Sequence, residues 1–485
     1  MIVVLSQGCA ANFGDGEKIA RILSQKSEVT FEFPEAKPAH STKAASFSSK
    51  TPANLENAEN STSAANSADF RTEKPEAFYL NVCTVKGNAG AMKLLRKAAS
   101  TFPGVPIYIT GCAPKDFREE ALRAVPNVQF TSLKELETSA ILPTQPAQSP
   151  SSLINERTPD SNKVSRNVLR ESPFVGIVNI EEGCLDACAF CSTHLVKGRL
   201  HSFAPQTIVD QVQALVDDGC LEIQLTGQDC ACYGFDIGTN LAKLTQRILT
   251  HVNGNYRIRL GMGNPRHVLG YQEALLDCFT DDRIYKFIHI PVQSGSENVL
   301  KAMNRRHTAR DYATLAHAFT ERFSKFTLST DLIVGYPGET AEDFNDTLKL
   351  LKETRPTVCN ITRFVARQGT VAAHLESAKN SVHLESATNR AHLAPTTLAI
   401  PDDIKHKRSA ILAEAFQQIA LENNREWIGD ECTVVTEKQG YRAGTTIARN
   451  EAYRPVALQG SFPAGQTLRV RITDAEPFAL IAKPL

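Results

Sequence analysis

Cys184-Leu-Asp-Ala-Cys188-Ala-Phe-Cys191 decides how the rest of the chain is read. It follows an apolar run, Phe174-Val-Gly-Ile-Val-Asn-Ile180, with the length and composition of a buried strand, and Glu181-Glu-Gly183 turns out of that strand. Three thiolates on one short loop can hold three irons of a cubane cluster, since iron–sulfur clusters are held by cysteine thiolates. The fourth iron then lacks a protein ligand, and an open metal position is where chemistry takes place. The competing reading is structural zinc, which takes four ligands in a closed tetrahedron, usually as two C-x2-C pairs. This loop offers three cysteines, and His194 would have to be the fourth at an unusual offset.

Composition sets the frame. A chain of 485 residues is too long for one core and predicts roughly two to four domains. Twelve cysteines are far too few for a disulfide scaffold, and a cluster-binding thiol set implies a reducing cytoplasm. Met1-Ile-Val-Val-Leu5 lacks the basic flank of a signal peptide, and no apolar run reaches the ~18 residues of a membrane helix. A soluble cytoplasmic protein with no membrane partner is expected, as a monomer. The 53 basic and 53 acidic residues cancel, so any RNA contact must be local.

Residues 1–140 read as an α/β unit. Strands are predicted at Ile2–Leu5, Ala77–Leu80 and Ile107–Ile109, with helices from Asp15 to about Gln25, at 86–100 and at 116–124. This is a βαβαβ open sheet. Each strand delivers one cysteine past its carboxyl end: Cys9, Cys83 and Cys112. That edge is where open α/β sheets bind ligands, so a second metal site competes with the bland reading of three buried core thiols. Residues 35–75, rich in Ser, Ala, Asn, Lys and Pro, read as a disordered insertion.

A linker at 141–170 leads into 171–375, where strands are predicted at 175–180, 221–226, 256–261, 286–290, 327–334 and 357–365. Helices are predicted at 205–218, 239–250, 266–279, 309–324 and 341–353. Six such βα units make a partial barrel, whose active site belongs at the strands' carboxyl ends. Asp331 is placed there to accept hydrogen bonds, and His289 is either a substrate contact or a packed strand-end histidine. Cys220, Cys230, Cys232, Cys278, Cys359 and Cys432 show no ligand spacing and are read as structural. A polar insertion at 376–400, a helix at 401–424 and short alternating strands over 425–485 follow, the last fitting a small β-barrel. Lys438, Arg442, Arg449 and Arg454 offer one basic face there for RNA, with Tyr441 and Tyr453 available to stack bases. A merely solvated surface is the alternative.

CxxxCxxC with Phe190 before its last cysteine resembles the radical S-adenosylmethionine (AdoMet) enzymes. Gly8-Cys9, Asn12, Asp15 and Glu17, then Asn81, Cys83 and Val85, then Gly111-Cys112 resemble the amino-terminal domain of the methylthiotransferases. The final segment resembles their TRAM domain. Within that family, Tyr233-Gly-Phe-Asp-Ile-Gly238, Arg259-Leu-Gly-Met-Gly-Asn-Pro265 and His289-Ile-Pro-Val-Gln-Ser294 look most like the archaeal and eukaryotic branch.

The resemblance implies two 4Fe-4S clusters, one on Cys9, Cys83 and Cys112 and an AdoMet-binding one on Cys184, Cys188 and Cys191. It implies AdoMet contacts at Phe190, Thr226, Gln228, Asp229, Gln293, Ser294, Asp331 and Gly335. The clusters are then the catalytic groups, with no side-chain acid or base assigned. One cluster would cleave AdoMet to a radical that activates an adenine, and the other would present the sulfur. The implied substrate is N6-threonylcarbamoyladenosine beside the anticodon of tRNA, with an outside electron donor and sulfur source. Methylthiolation of a small-subunit ribosomal-protein aspartate, or a non-catalytic zinc-stabilised RNA-binding protein, are the alternatives. Chains purified without air should carry about eight irons each, with matching sulfide; zinc without sulfide would select the last reading.

Overall fold

The computed structural model describes residues 1–8, 10–34, 74–83, 88–141, 169–377 and 398–485. Cys9, Val85 and nearly all of the two insertions and the linker lie outside that set.

In the first unit, five parallel strands stand in the order Val29–Thr30, Ile2–Ser6, Ala77–Cys83, Ile107–Cys112, Gln129–Phe130. Ala77–Cys83 is buried along its whole length because helices cover both sheet faces. Phe78, Leu80 and Val82 meet Leu95 and Phe117 on one side, while Ala77 and Tyr79 join Ile19 and Leu23 on the other. The first helix spans Ala10–Leu23, starting five residues before the expected Asp15. Asp15 therefore sits inside the helix and faces the next unit instead of capping a terminus.

The central strands are Val175–Asn179, Glu222–Thr226, Arg257–Leu260, Phe287–His289, Thr327–Val334 and Val358–Arg363. They pair in parallel as two three-stranded halves. Tyr285 N–H to Ile258 O (3.0 Å) and Gly263 N–H to His289 O (2.9 Å) join the halves into one curved, open wall. Helices Pro205–Asp217, Leu241–His251, Ala309–Arg322 and Ala341–Thr354 back it, the last two opened by capping boxes on Thr308 and Thr340. The helix expected at 266–279 is broken at Gly270–Tyr271 into Pro265–Leu269 and Gln272–Cys278. Among the described residues, no helix is long and apolar enough to cross a membrane.

The helix Asp402–Arg425 leads to a closed barrel of Glu431–Gln439, Thr445–Asn450, Pro455–Gln459, Thr467–Glu476 and Ala479–Pro484. This barrel docks against the amino ends of the central strands. Tyr453 Oη donates to Glu222, which begins its strand (2.9 Å), and Lys286 N–H, just before the next half, donates to Glu451 O (2.9 Å). Arg454 bonds Asn424 Oδ1, Phe326 O and Thr357 Oγ1 and lies over Trp427.

These contacts correct the expected basic face. Arg454 is buried, while Arg449 pairs with Glu437 (2.7 Å) and stacks on Tyr453, both within the seam. Lys438, Arg442 and Tyr441 remain on the outside, with Arg442 held by Glu476 (3.0 Å). Arg454→Ala should therefore destabilise the chain by about 3 kcal/mol, since it strands buried acceptors and leaves a cavity. Urea unfolding followed by tryptophan fluorescence checks this, because Trp427 is the sole tryptophan and lies at the seam.

Candidate functional site

The loop carrying Cys184, Cys188 and Cys191 is closed at its base by a short antiparallel pair, Glu181–Glu182 with His201–Ser202. Gly183 makes the turn at φ +81°, and a Cβ there would lie 2.1 Å from Arg199 O, so only glycine fits. Cys184 N–H donates to Gly198 O, completing the neck. The crown is pinned from outside: Ala189 N–H to Met303 O (2.9 Å), Ala372 N–H to Ala189 O (2.9 Å) and Asn304 Nδ2 to Ala187 O (2.7 Å). Phe190 packs against Val299, Met303, Tyr336, Phe364 and Ala372, an apolar floor that anchors the crown of the loop.

Four side chains outside the motif, Arg305, Asn264, Arg266 and His267, tune it. Arg305 Nη1 lies 3.4 Å from Cys188 Sγ while its Nη2 donates to Pro291 O (2.7 Å). Burial pushes the Cys188 thiol up to about 11, and Arg305 pulls the other way by favouring the thiolate. Asp186 accepts from Asn264 Nδ2 (2.7 Å), Arg266 Nη1 (2.6 Å) and His267 Nε2 (3.0 Å), fixing the loop to the turn after strand Arg257–Leu260. Burial opposes the charge on Asp186, but His267 and Arg266 more than offset it and hold the carboxyl below its usual range.

The three loop cysteines do not converge on one point. Two groups of His, Cys, Asp or Glu among the described residues bring three ligand atoms within 4.8 Å of one another: Cys184, Asp229 and Cys232, and Asp186, Asp229 and His267. Cys184, Cys188 and Cys191 are not such a group, so no single ion is shared by all three.

The second set sits on the neighbouring sheet edge. Cys83 and Cys112 end adjacent parallel strands as direct register partners. The backbone at Gly8 runs against Cys83, since a Cβ there would lie 2.1 Å from Cys83 Cβ. Cys9, the next residue in sequence, lies outside the described residues. Asn12 and Asn81 brace this edge: Asn12 Nδ2 donates to Gln7 O and Asn81 O, and Asn81 Nδ2 donates to Asn12 O (2.5 Å). The donor chemistry and the bare backbone at Gly8 suit a bulky thiolate-held group.

Lys197 joins the two edges. Its ammonium lies 3.1 Å from Asp15 and 3.0 Å from Glu182. Burial works against its charge, yet Asp15 and Glu182 prevail and raise its pKa, with Cys112 a further contributor. Asn179 Nδ2 also donates to Asp15 (3.0 Å).

The residues expected to meet AdoMet divide. Thr226 and Asp229 stand at the end of strand Glu222–Thr226, beside the loop, as barrel logic requires. Asp229 Oδ1 accepts from Ala231 N–H and Asn264 N–H. Gln228 gives its carbonyl to Gly183 N–H (2.7 Å) and so holds the cysteine loop. Ser294 is buried against Thr347 Oγ1 (3.2 Å), behind the wall. Gln293 adopts φ +78° between Asp331 O and Ile333 N–H. Asp331 Oδ1 accepts from His289 Nε2 (3.0 Å) and Asn360 Nδ2 (2.7 Å) inside the barrel. Gly335 lies over Lys405, where a Cβ would meet that side chain at 2.3 Å. Arg305, Asp186, His267 and Lys197 escaped the sequence reading. Asp186, inside the motif itself, was the one signal that pointed toward them.

Residues 178–351 match the Radical SAM superfamily and residues 425–485 the TRAM domain. The chain is 31% identical over 466 residues to the probable threonylcarbamoyladenosine tRNA methylthiotransferase of Pyrococcus horikoshii, covering 94% of this chain and 93% of the relative. It is 39% identical over 306 residues to the protein of that name from Archaeoglobus fulgidus, spanning 63% of this chain and 66% of that one. The human threonylcarbamoyladenosine tRNA methylthiotransferase is 28% identical over 418 residues, 84% of this chain and 68% of the relative. Arg305→Gln should lower retention of metal at the loop by about 10- to 100-fold, the usual cost of losing a group that supports a ligand. Iron per chain after gel filtration under chelator checks it, with an unchanged circular dichroism spectrum as control.

Proposed function

We propose, for a chain that belongs to the threonylcarbamoyladenosine tRNA methylthiotransferase family, that it places a methylthio group on carbon 2 of N6-threonylcarbamoyladenosine next to the anticodon of tRNA. The observation that carries this reading is the pair of cysteine edges, one from each sheet, tied together through Lys197 and Asp15. One edge alone would suit many radical AdoMet reactions; two facing edges suit a reaction that needs both a radical source and a sulfur donor.

Cys184, Cys188 and Cys191 are the residues to hold a 4Fe-4S cluster with AdoMet on its open iron, and Cys9, Cys83 and Cys112 a second cluster. When bound, these groups supply a 5′-deoxyadenosyl radical and a transferable sulfur. The chain's own part is placement. Arg305 favours thiolate at Cys188, and Phe190 with its apolar neighbours keeps water from the underside of the loop. Thr226, Asp229 and Asp331 offer polar atoms at the strand ends toward AdoMet or the base. Lys438, Arg442 and Tyr441 stand exposed on the terminal barrel for RNA. An electron and a sulfur atom come from outside the chain, in a cytoplasm that keeps thiols reduced. Neither a ribosomal-protein substrate nor a zinc-stabilised, non-catalytic protein is favoured beside relatives named for tRNA modification.

Nucleosides from host tRNA, with and without the gene, test the reading. The 2-methylthio derivative should vanish on deletion while N6-threonylcarbamoyladenosine accumulates; unchanged tRNA would overturn the substrate. Cys188→Ala should abolish AdoMet cleavage, whereas Cys83→Ala should spare cleavage and stop methylthiolation. Methylthio product from the Cys83 variant would remove the second cluster.

A further inference from the structure

Cys232 has no place in either cysteine set, yet it lies fully buried beside the first. It ends the short 3-10 turn Cys230–Cys232, which Asp229 caps through Ala231 N–H. Its sulfur, the Cys184 sulfur and an Asp229 carboxylate oxygen lie within 4.8 Å of one another. Cys232 and Asp229 are 0% and 4% exposed, and Cys184 is half-buried.

The neighbouring group of Asp186, Asp229 and His267 is a different case. There His267 Nε2 already donates to Asp186, which also holds Arg266 and Asn264, so that group is a filled hydrogen-bond network. In the cysteine group, the two backbone donors occupy Asp229 Oδ1 and orient the carboxylate, while Cys232 Sγ donates to the backbone Asp229 O at 3.1 Å and lies against the Cys184 thiol and the Leu185 backbone N–H. Two soft thiols and one fixed carboxylate are a donor set for a borderline-soft divalent ion, with water completing a tetrahedron.

We propose that Cys184, Cys232 and Asp229 bind a single thiophilic divalent cation of the zinc class in the cluster-free chain, and that this ion and a cluster on the loop exclude each other. On binding, both thiols release their protons to solvent and their sulfurs bond the ion, with no change of oxidation state. Exclusion follows because Cys184 is the shared ligand. Zinc that arrives first holds Cys184 turned toward Cys232, so only Cys188 and Cys191 face incoming iron. This inference rests on reading Cys184 as a cluster ligand.

The test uses the full chain, stripped of metal, reduced and anaerobic, with Cys83→Ala and Cys112→Ala silencing the other set. Titration with Co2+ alone, as a coloured stand-in for zinc, should give one ion per chain with thiolate-to-cobalt charge-transfer absorption. Adding Cys188→Ser and Cys191→Ser should leave that signal in place. Adding Cys232→Ser should weaken binding at least about 100-fold, more than the loss of an outer-shell partner costs. Cobalt binding that survives Cys232→Ser but disappears with Cys188→Ser and Cys191→Ser would overturn the proposal, because the ion would then sit on the loop itself. Zinc loaded before reconstitution should reduce iron uptake; undiminished uptake would overturn the exclusion. Iron content separates this from the parent reading: Cys232→Ser should load iron normally and Cys184→Ala should not. Iron retained by Cys184→Ala would instead sink the cluster assignment.

Discussion

One ammonium group holds two cysteine-bearing edges in register. Lys197 follows Cys191 by six residues and Asp15 follows Cys9 by six, so their contact ties the two cysteine loops by their trailing ends. Two carboxylates about 3 Å away each attract it by about 5.5 kcal/mol at the effective dielectric of a protein surface, and desolvation of the partners takes much of that back. The net stabilisation is therefore modest. What the contact supplies is direction: Asn179 and Lys197 grip the same Asp15, and Gly14 lets the first helix lie against Ile177 without a side chain between. Sheet edges that slid by one residue would lose all three contacts together.

The positions of the main strands in both sheets were readable from apolar runs that end in polar or glycine-rich residues, because parallel strands buried on both faces leave that signature; the two-residue edge strands Val29–Thr30 and Gln129–Phe130 were too short to leave it. The cysteine loop was readable because metal ligands need fixed spacing. Other features depend on what packs across a gap in sequence, which spacing does not encode. Asp15 looked like a helix start, since an acidic residue near an amino end is usually there for the dipole; its partner is 182 residues away. Arg449 and Arg454 looked like an RNA face because charge pattern does not distinguish an exposed guanidinium from one sealed under a barrel. Cys232 looked structural because its companions, Cys184 and Asp229, come from two different strand ends.

The loop's rigidity also redistributes roles among the residues expected to touch AdoMet. Gln228 and Ser294 are polar, lie at strand ends and follow the expected order, yet the first closes the neck of the loop and the second seats a helix behind the wall. A site that must hold a reactive intermediate needs such support, since its first ligands are only as fixed as the groups behind them. Polar residues near a catalytic edge thus divide between contact and scaffold, and hydrogen-bond geometry, not position in the motif, separates them.

The terminal barrel clasps the amino ends of the central strands, at Glu222, Lys286, Phe326 and Thr357, whereas the cysteine loop crowns their carboxyl ends. The eight residues of Thr327–Val334, at ~3.3 Å each, put roughly 25 Å of wall between the two. A lone nucleoside cannot bridge that interval, nor can a short flexible strand without a large loss of entropy. The terminal barrel and the cysteine loop are therefore the two jaws of a caliper, and only a ligand stiff enough to keep its own length can touch both at once.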